Sequence, residues 1–278
     1  MIKILPYEHM QLDESCDFND FKSDDIELDD LLGSNYIFTN LGREAINLIM
    51  KLENLKREDE VFITTTTDSS FVSTCVSGTI FNYSKISRVL TDKTKMIFVI
   101  HNFGFPHPDL LKLRELADER GIVLVEDCAF ALDSYNSEGI LLGSIGDYTI
   151  YSLSKTLPLP KGGILKSKKR LNLNSNREIE KLAKRYIPYL REFKRRRQSN
   201  YKFLEEHLDV TPIYSYNDNV NPFMFGFYHP NASLFYEKYE DIYQFSRTHV
   251  ENEVHIPVNP FICKESYIEM IEDLKEIL

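Results

Sequence analysis

The sequence contains no tryptophan, and glycine and proline number only 11 each in 278 residues. So little Gly and Pro argues against a linker-dominated or disordered chain. No run of about 18 apolar residues exists to cross a bilayer. Met1 to Pro6 carry no basic segment followed by a long apolar one, so no secretory signal is expected and the expected location is cytoplasmic. The four cysteines, Cys16, Cys75, Cys128 and Cys263, stand far apart with no Cys-x-x-Cys pair. That spacing argues against a zinc knuckle or a disulfide framework and fits a reducing compartment. Positive charge is in deficit, with 33 Lys and Arg against 43 Asp and Glu, a net charge of −10. Phosphate backbones and anionic headgroups are repelled by such a surface, so neither nucleic acid nor a membrane is an expected partner.

What is present is an alternation of helical and strand patterns. Residues 1–35 are acidic and weakly patterned, and read as an N-terminal arm with one short helix near 24–32. Residues 43–54 place Ala45, Ile46, Leu48, Ile49 and Leu52 at helical spacing, and 61–63 form a short apolar strand. A helix is predicted over 68–78, a buried strand over 95–100 and an amphipathic helix over 109–120, stopped by Gly121. Strands follow at 122–125, 148–152 and 162–166. Such alternation predicts an α/β fold, a three-layer α/β/α sandwich around a mostly parallel sheet. Residues 176–207 have a charged helical pattern, 222–228 a strand, and 232–246 and 264–277 helices. The expected domains are therefore 36–168, a large ligand-binding domain, and 169–278, a reduced α+β small domain. The basic run Lys194-Arg195-Arg196-Arg197 reads as a solvated or interface face, given the acidic chain around it.

Ligands of open α/β sheets sit beyond the carboxyl ends of the strands, where Asp127 and His101 are expected to stand. Three features there carry chemistry. Val125-Glu126-Asp127 delivers a carboxylate at a strand end. Lys155 follows the strand at 148–152, and a lysine in an apolar pocket becomes a nucleophile able to form a Schiff base. Asn40-Leu41-Gly42-Arg43 opens a helix, whose free N–H groups suit a phosphate. Each alone has a plain structural reading: a turn or cap, a solvated lysine, an ordinary helix start. Together they match what pyridoxal 5'-phosphate requires: an amine, an acid for the ring nitrogen and a phosphate anchor.

At this point the sequence resembles the DegT/DnrJ/EryC1/StrS aminotransferases. Val125-Glu126-Asp127-Cys128-Ala129-Phe130-Ala131 looks like their EDAAQA segment, and Gly143-Ser144-Ile145-Gly146-Asp147 like their GSLGD. Asp59-Glu60-Val61, His101-Asn102-Phe103-Gly104 and Ser152-Leu153-Ser154-Lys155 with Gly162-Gly163 are similar to further family motifs, in the family's order. The resemblance implies a fold-type-I pyridoxal-phosphate enzyme that passes an amino group from a small-molecule donor to a keto-sugar, usually nucleotide-linked, in surface-polysaccharide synthesis. It implies that Lys155 forms the Schiff base and shuttles the proton, and that Asp127 pairs with the ring nitrogen. Leu41, Gly42, Arg43 and Ser152 would hold the phosphate, and Phe130 and Asp68 would lie beside the ring. His101 would face the substrate. Family members are usually homodimers with shared sites.

The chain also departs from the family pattern. Phe130 replaces a usual Gln, Asp68 falls where a stacking aromatic is expected, and the segment 78–95 is short. No Asn-x-Arg stretch follows Lys168. A second reading therefore stands beside the first: a catalytically degenerate relative with a binding or assembly role. Two other chemistries are weaker. Ser152-x-x-Lys155 resembles a serine–lysine nucleophile motif, but Pro158 and Pro160 would break the helix that motif opens. A metal site at His101, His107 and Asp109 would sit on a proline-rich loop, and no metal is expected.

Overall fold

The computed structural model describes residues 21–67, 69, 71–243, 252–262 and 264–275. Asp68, Cys16, Cys263 and most of the predicted arm lie outside these residues. Seven strands form one sheet: β1 (Tyr36–Thr39), β2 (Glu60–Thr65), β3 (Lys85–Ser87), β4 (Thr94–Ile100), β5 (Val123–Asp127), β6 (Tyr148–Ser152) and β7 (Gly163–Ser167). Their order is β1-β7-β6-β5-β4-β2-β3. The pairs β2–β3, β2–β4, β4–β5 and β5–β6 are parallel, and β7 runs antiparallel to both of its neighbours. The chain is thus α/β with a mostly parallel sheet, as its pattern predicts.

Side-chain alternation assigns the two faces. Ile63, Met96, Phe98, Val125, Ile150 and Leu165 pack with α2 (Gly42–Leu52) and α3 (Thr74–Phe81). Ile97, Val99 and Leu124 point the other way, onto α4 (Leu110–Arg120), and Phe38, Tyr151 and Ile164 meet α1 (Leu28–Leu32), α6 (Arg177–Ala183) and α7 (Leu190–His207). Successive strand residues alternate between faces, so each apolar run supplies both cores at once. In α2, Ile49 and Met50 are fully buried. Burying such side chains gives about 1.5–3 kcal/mol each.

Several elements differ from the sequence reading. The helix predicted over 68–78 begins at Thr74, where Ser73 accepts a hydrogen bond from the Cys75 N–H as its cap. The pattern at 176–207 is two helices, α6 and α7, separated by a 3-10 turn at Ile187–Tyr189 that contains Pro188. Proline removes a helical hydrogen bond and clashes with the preceding turn, hence the break. Strands β1 and β3 are short edge strands without a distinct pattern of their own. Beyond the seven-stranded sheet, β8 (Met224–Tyr228) and β9 (Glu253–Pro257) pair antiparallel, and α8 (Ala232–Tyr243) and α9 (Lys264–Lys275) are the last two helices among the described residues. Strand β9 escaped the pattern because Glu253 and His255 interrupt it, yet both are buried.

Candidate active site

The site lies at the carboxyl ends of β4, β5 and β6. Ile100 is in register with Asp127, and Asp127 with Ile150, two residues before Ser152. By alternation Asp127 shares the face of Val125 and Ser152 that of Ile150, which is the α2 side of the sheet. The start of α2 is drawn onto this point by Gly163. A Cβ there would come within 2.6 Å of the Gly42 nitrogen and 2.7 Å of the Leu41 carbonyl carbon. A Cβ on Gly42 would in turn lie 3.5 Å from that of Ser152. Leu41, the N-cap residue, makes no side-chain cap hydrogen bond. The helix start is therefore left for another acceptor, with exposed Arg43 beside it. Gly163→Ala is expected to cost about 1–3 kcal/mol by overpacking and to weaken binding of inorganic phosphate. Thermal melts with and without phosphate check both.

Asp127 is buried, and its Oδ1 accepts the Ala129 N–H at 2.9 Å. Burial pushes its carboxyl up to about 6, against the downward pull of that N–H and of Lys155. Lys155 stands on α5 (Leu153–Thr156), a single turn that follows β6 directly, and is half-buried. Its Nζ lies over the Phe130 ring, 4.6 Å from the centroid. Phe130 packs in turn on Phe223 and Phe103, with centroids 4.5 and 5.4 Å away. Asp127, Phe130, Lys155, Ser152 and the Leu41–Arg43 turn are thus brought together. Asp68 falls outside the described residues. Phe71 follows in the same loop, half-buried against the aromatic cluster of Phe103 and Phe105, which Phe130 also joins.

His101 occupies the other face. Its Nε2 lies 3.0 Å from Glu126 Oε2, while Nδ1 accepts the His107 N–H at 3.1 Å. An accepting Nδ1 makes Nε2 the donor, so the protein engages both nitrogens and leaves none for a substrate. The sequence placed His101 at the right strand end but could not tell its face. Glu126 is the residue that sequence reasoning passed over. Fully buried, it accepts N–H donors from Gly143 (2.9 Å), Ile145 (2.8 Å) and Gly146 (2.6 Å) as well as from His101. These bonds hold its carboxyl below the usual range despite the cost of burial. The Gly143–Asp147 motif is thus a cradle for Glu126. At Gly143, φ is +90°, and a Cβ would lie 2.1 Å from the Tyr151 hydroxyl. The signal for Glu126 was strand alternation: neighbouring strand residues face opposite ways, so Glu126 and Asp127 point to different faces.

Because its folded pKa is lowered, Glu126 contributes stability above its unfolded value, near 4.5, and that contribution is lost as pH falls through the folded value. Glu126→Gln, which puts an amide against converging N–H donors, is expected to cost about 3 kcal/mol. Urea unfolding at neutral pH measures it. His101, Glu126 and Cys128 have ligand atoms within 4.8 Å of one another. A cation there would have to displace the hydrogen bonds just described, and burial pushes the Cys128 thiol well up, away from the thiolate a metal needs.

Of the solvated or interface face expected for the basic run, the solvated form is not what the fold shows. Lys194 donates to the Asp133 carbonyl at 2.6 Å, Arg196 pairs with Glu192 at 2.8 Å, and Arg197 is 1% exposed. Only Arg195 stays largely in solvent, beside Glu192.

Comparison with known proteins decides the family. The sequence model of the DegT/DnrJ/EryC1/StrS aminotransferase family matches residues 25–181. The chain belongs to this family. GDP-perosamine synthase of Vibrio cholerae is 30% identical over an alignment of 141 residues that covers 45% of this chain and 38% of that protein. The match thus spans well under half of that relative's length. Among solved structures, the aminotransferase TlmJ from Streptoalloteichus hindustanus superposes with a TM-score of 0.71 at 17% identity, over 88% of this chain and 87% of that one. NtdA from Bacillus subtilis, solved with the cofactor PMP bound, gives 0.72 at 14% identity, over 99% and 85%. These two likenesses establish the fold. Among the described residues, no helix of this family member is long and apolar enough to cross a membrane.

Proposed function

We propose that this chain is a pyridoxal-phosphate-dependent aminotransferase that aminates a nucleotide-linked keto-sugar. The observation that carries the proposal is the convergence of a lysine amine, a buried carboxyl and an uncapped helix start on one end of the sheet. The fit is chemical as well as spatial. An acid raised to about 6 by burial gains from a cation beside it, which a protonated pyridine nitrogen provides. The glycine approach at Gly163 leaves the α2 N–H groups close to Ser152, a donor set suited to a phosphate.

Lys155 would attach the cofactor aldehyde through Nζ, then carry the proton on and off the substrate carbon. When bound, the cofactor supplies an electron-withdrawing ring that stabilises negative charge on that carbon. Asp127 would hold the ring nitrogen protonated. Gly42, Arg43 and Ser152 would hold the phosphate, Asp68 would lie beside the ring, and Phe71, half-buried against the cluster that Phe130 joins, would cover it. Residues 36–168 would form the cofactor-binding domain and 169–278 the small domain, in a cytoplasmic homodimer. The acceptor class rests on the relatives, one of which is named for a GDP-linked amino sugar.

One observation favours a second reading. Phe130 places an aromatic face under the Lys155 ammonium, where a polar group was expected from the family. A phenyl ring there offers a bound cofactor no hydrogen bond, as would suit a degenerate binding or assembly protein. Absorbance of the protein with pyridoxal phosphate separates the readings. The aminotransferase develops a new band that amino donors discharge, whereas the degenerate protein shows no band or one that no donor alters.

A further inference from the structure

The turn that carries Lys155 has a backbone donor of its own for its first carbonyl only. In α5, the Leu153 carbonyl accepts the Leu157 N–H at 2.8 Å. The next three carbonyls, of Ser154, Lys155 and Thr156, would look to residues 158, 159 and 160. Pro158 and Pro160 have no N–H. The Leu159 N–H is spent on the Leu157 carbonyl at 2.7 Å. A buried helix end in this position needs donors from elsewhere in the fold. Arg197 of α7 provides them: one guanidinium nitrogen lies 3.4 Å from the Lys155 carbonyl and 3.5 Å from that of Thr156. The other terminal nitrogen reaches Asn221 Oδ1 at 3.4 Å. Asn221 is itself held, its Nδ2 donating to the Leu132 carbonyl at 2.9 Å and its N–H to Ser134 Oγ at 2.8 Å.

We propose that Arg197 is a positioning residue for Lys155, fixing the one-turn helix from which the lysine reaches the cofactor. The inference rests on the reading of Lys155 as the cofactor lysine. A planar fork with several donors can serve two adjacent carbonyls and Asn221 together, which a single ammonium does less well. The paired prolines and the buried arginine, some 40 residues apart, are two halves of one device. The prolines strip the donors from the turn, and the arginine restores them from a rigid helix.

The test is covalent labelling of the whole 278-residue chain with pyridoxal phosphate, fixed by borohydride and located by mass spectrometry. Rate is measured against cofactor concentration for wild type, Arg197→Lys, Arg197→Gln and Arg197→Met. A misdirected nucleophile loses rate rather than affinity, so labelling of Lys155 at saturation should fall about tenfold or more in the Gln and Met variants. The half-saturating concentration should stay within about threefold, and Arg197→Lys should recover part of the rate. If the Met variant does not fold, the Gln variant, which keeps two donors without the charge, carries the test. Wild-type rates in folded variants overturn the inference. So does a parallel loss of rate, half-saturation and melting temperature, which marks support of the fold alone. If the wild-type chain itself is never labelled, the cofactor reading falls and this inference with it. Normal wild-type labelling with unchanged variants removes this inference alone.

Discussion

Lys155→Ala is expected to abolish borohydride-fixed labelling by pyridoxal phosphate and to lower amino transfer by about a thousandfold or more. Two functions vanish with one side chain: the covalent anchor and the proton carrier. Positioned acid–base catalysis alone is worth about 10²–10⁴. The fold should barely respond. Lys155 is half-buried, and its Nζ lies over Phe130. Such an ammonium–ring contact is worth about 0.5–1 kcal/mol when partly exposed. A melting temperature within a few degrees of wild type, with labelling lost, is the expected pair of results. A variant that still labels elsewhere and still transfers within tenfold of wild type would remove Lys155 from the mechanism.

Asp127→Asn is expected to stabilise the cofactor-free protein while disabling it. The sign follows from the direction of the shift. Burial raises the Asp127 carboxyl from its ordinary 3.8 to about 6, so the folded chain binds the extra proton between those values. This group's stabilising effect is fully present below about pH 4 and is lost as pH rises through 6. Above that, the ionised carboxylate costs about 3 kcal/mol. Asparagine keeps an acceptor for the Ala129 N–H and carries no charge. At pH 7.5 the variant should therefore melt about 5 °C above wild type, and near pH 4 the two should coincide. With pyridoxal phosphate the order reverses, because wild type gains a cation beside its carboxylate and the variant gains none. Loss of that buried counter-charge is worth about 3–5 kcal/mol, at least a hundredfold in amino transfer. Calorimetry at both pH values, with and without cofactor, reads all four cases. Equal cofactor-free melting at pH 7.5 would show that ionised Asp127 bears no such cost.

These two residues, with the Leu41–Arg43 turn, were legible because strand ends and helix starts are local features. Asp127 ends an apolar strand and Lys155 follows one, and a parallel sheet sends such ends to one edge. The edge strands β1 and β3, and β9 with its buried Glu253 and His255, were not legible. Short strands have too few residues to show a period, and a buried polar residue breaks the pattern that reveals a strand. The helical pattern at 176–207 was read through Pro188 because charge and spacing continue on both sides of it.

The sequence by itself determined the α/β class, the order of the chemical groups and the acidic surface, since periodicity and charge are properties of neighbouring residues. The tertiary structure alone decided which side each group serves. Alternation turned Asp127 toward α2 and Glu126 toward His101, so two adjacent acids became one candidate site residue and one anchor for the Gly143–Asp147 turn. Packing of α7 took Arg197 out of a run that looked solvated and set it against the carbonyls of the Lys155 turn. Burial and pairing depend on segments brought together from 40 or more residues apart, and no local pattern encodes them.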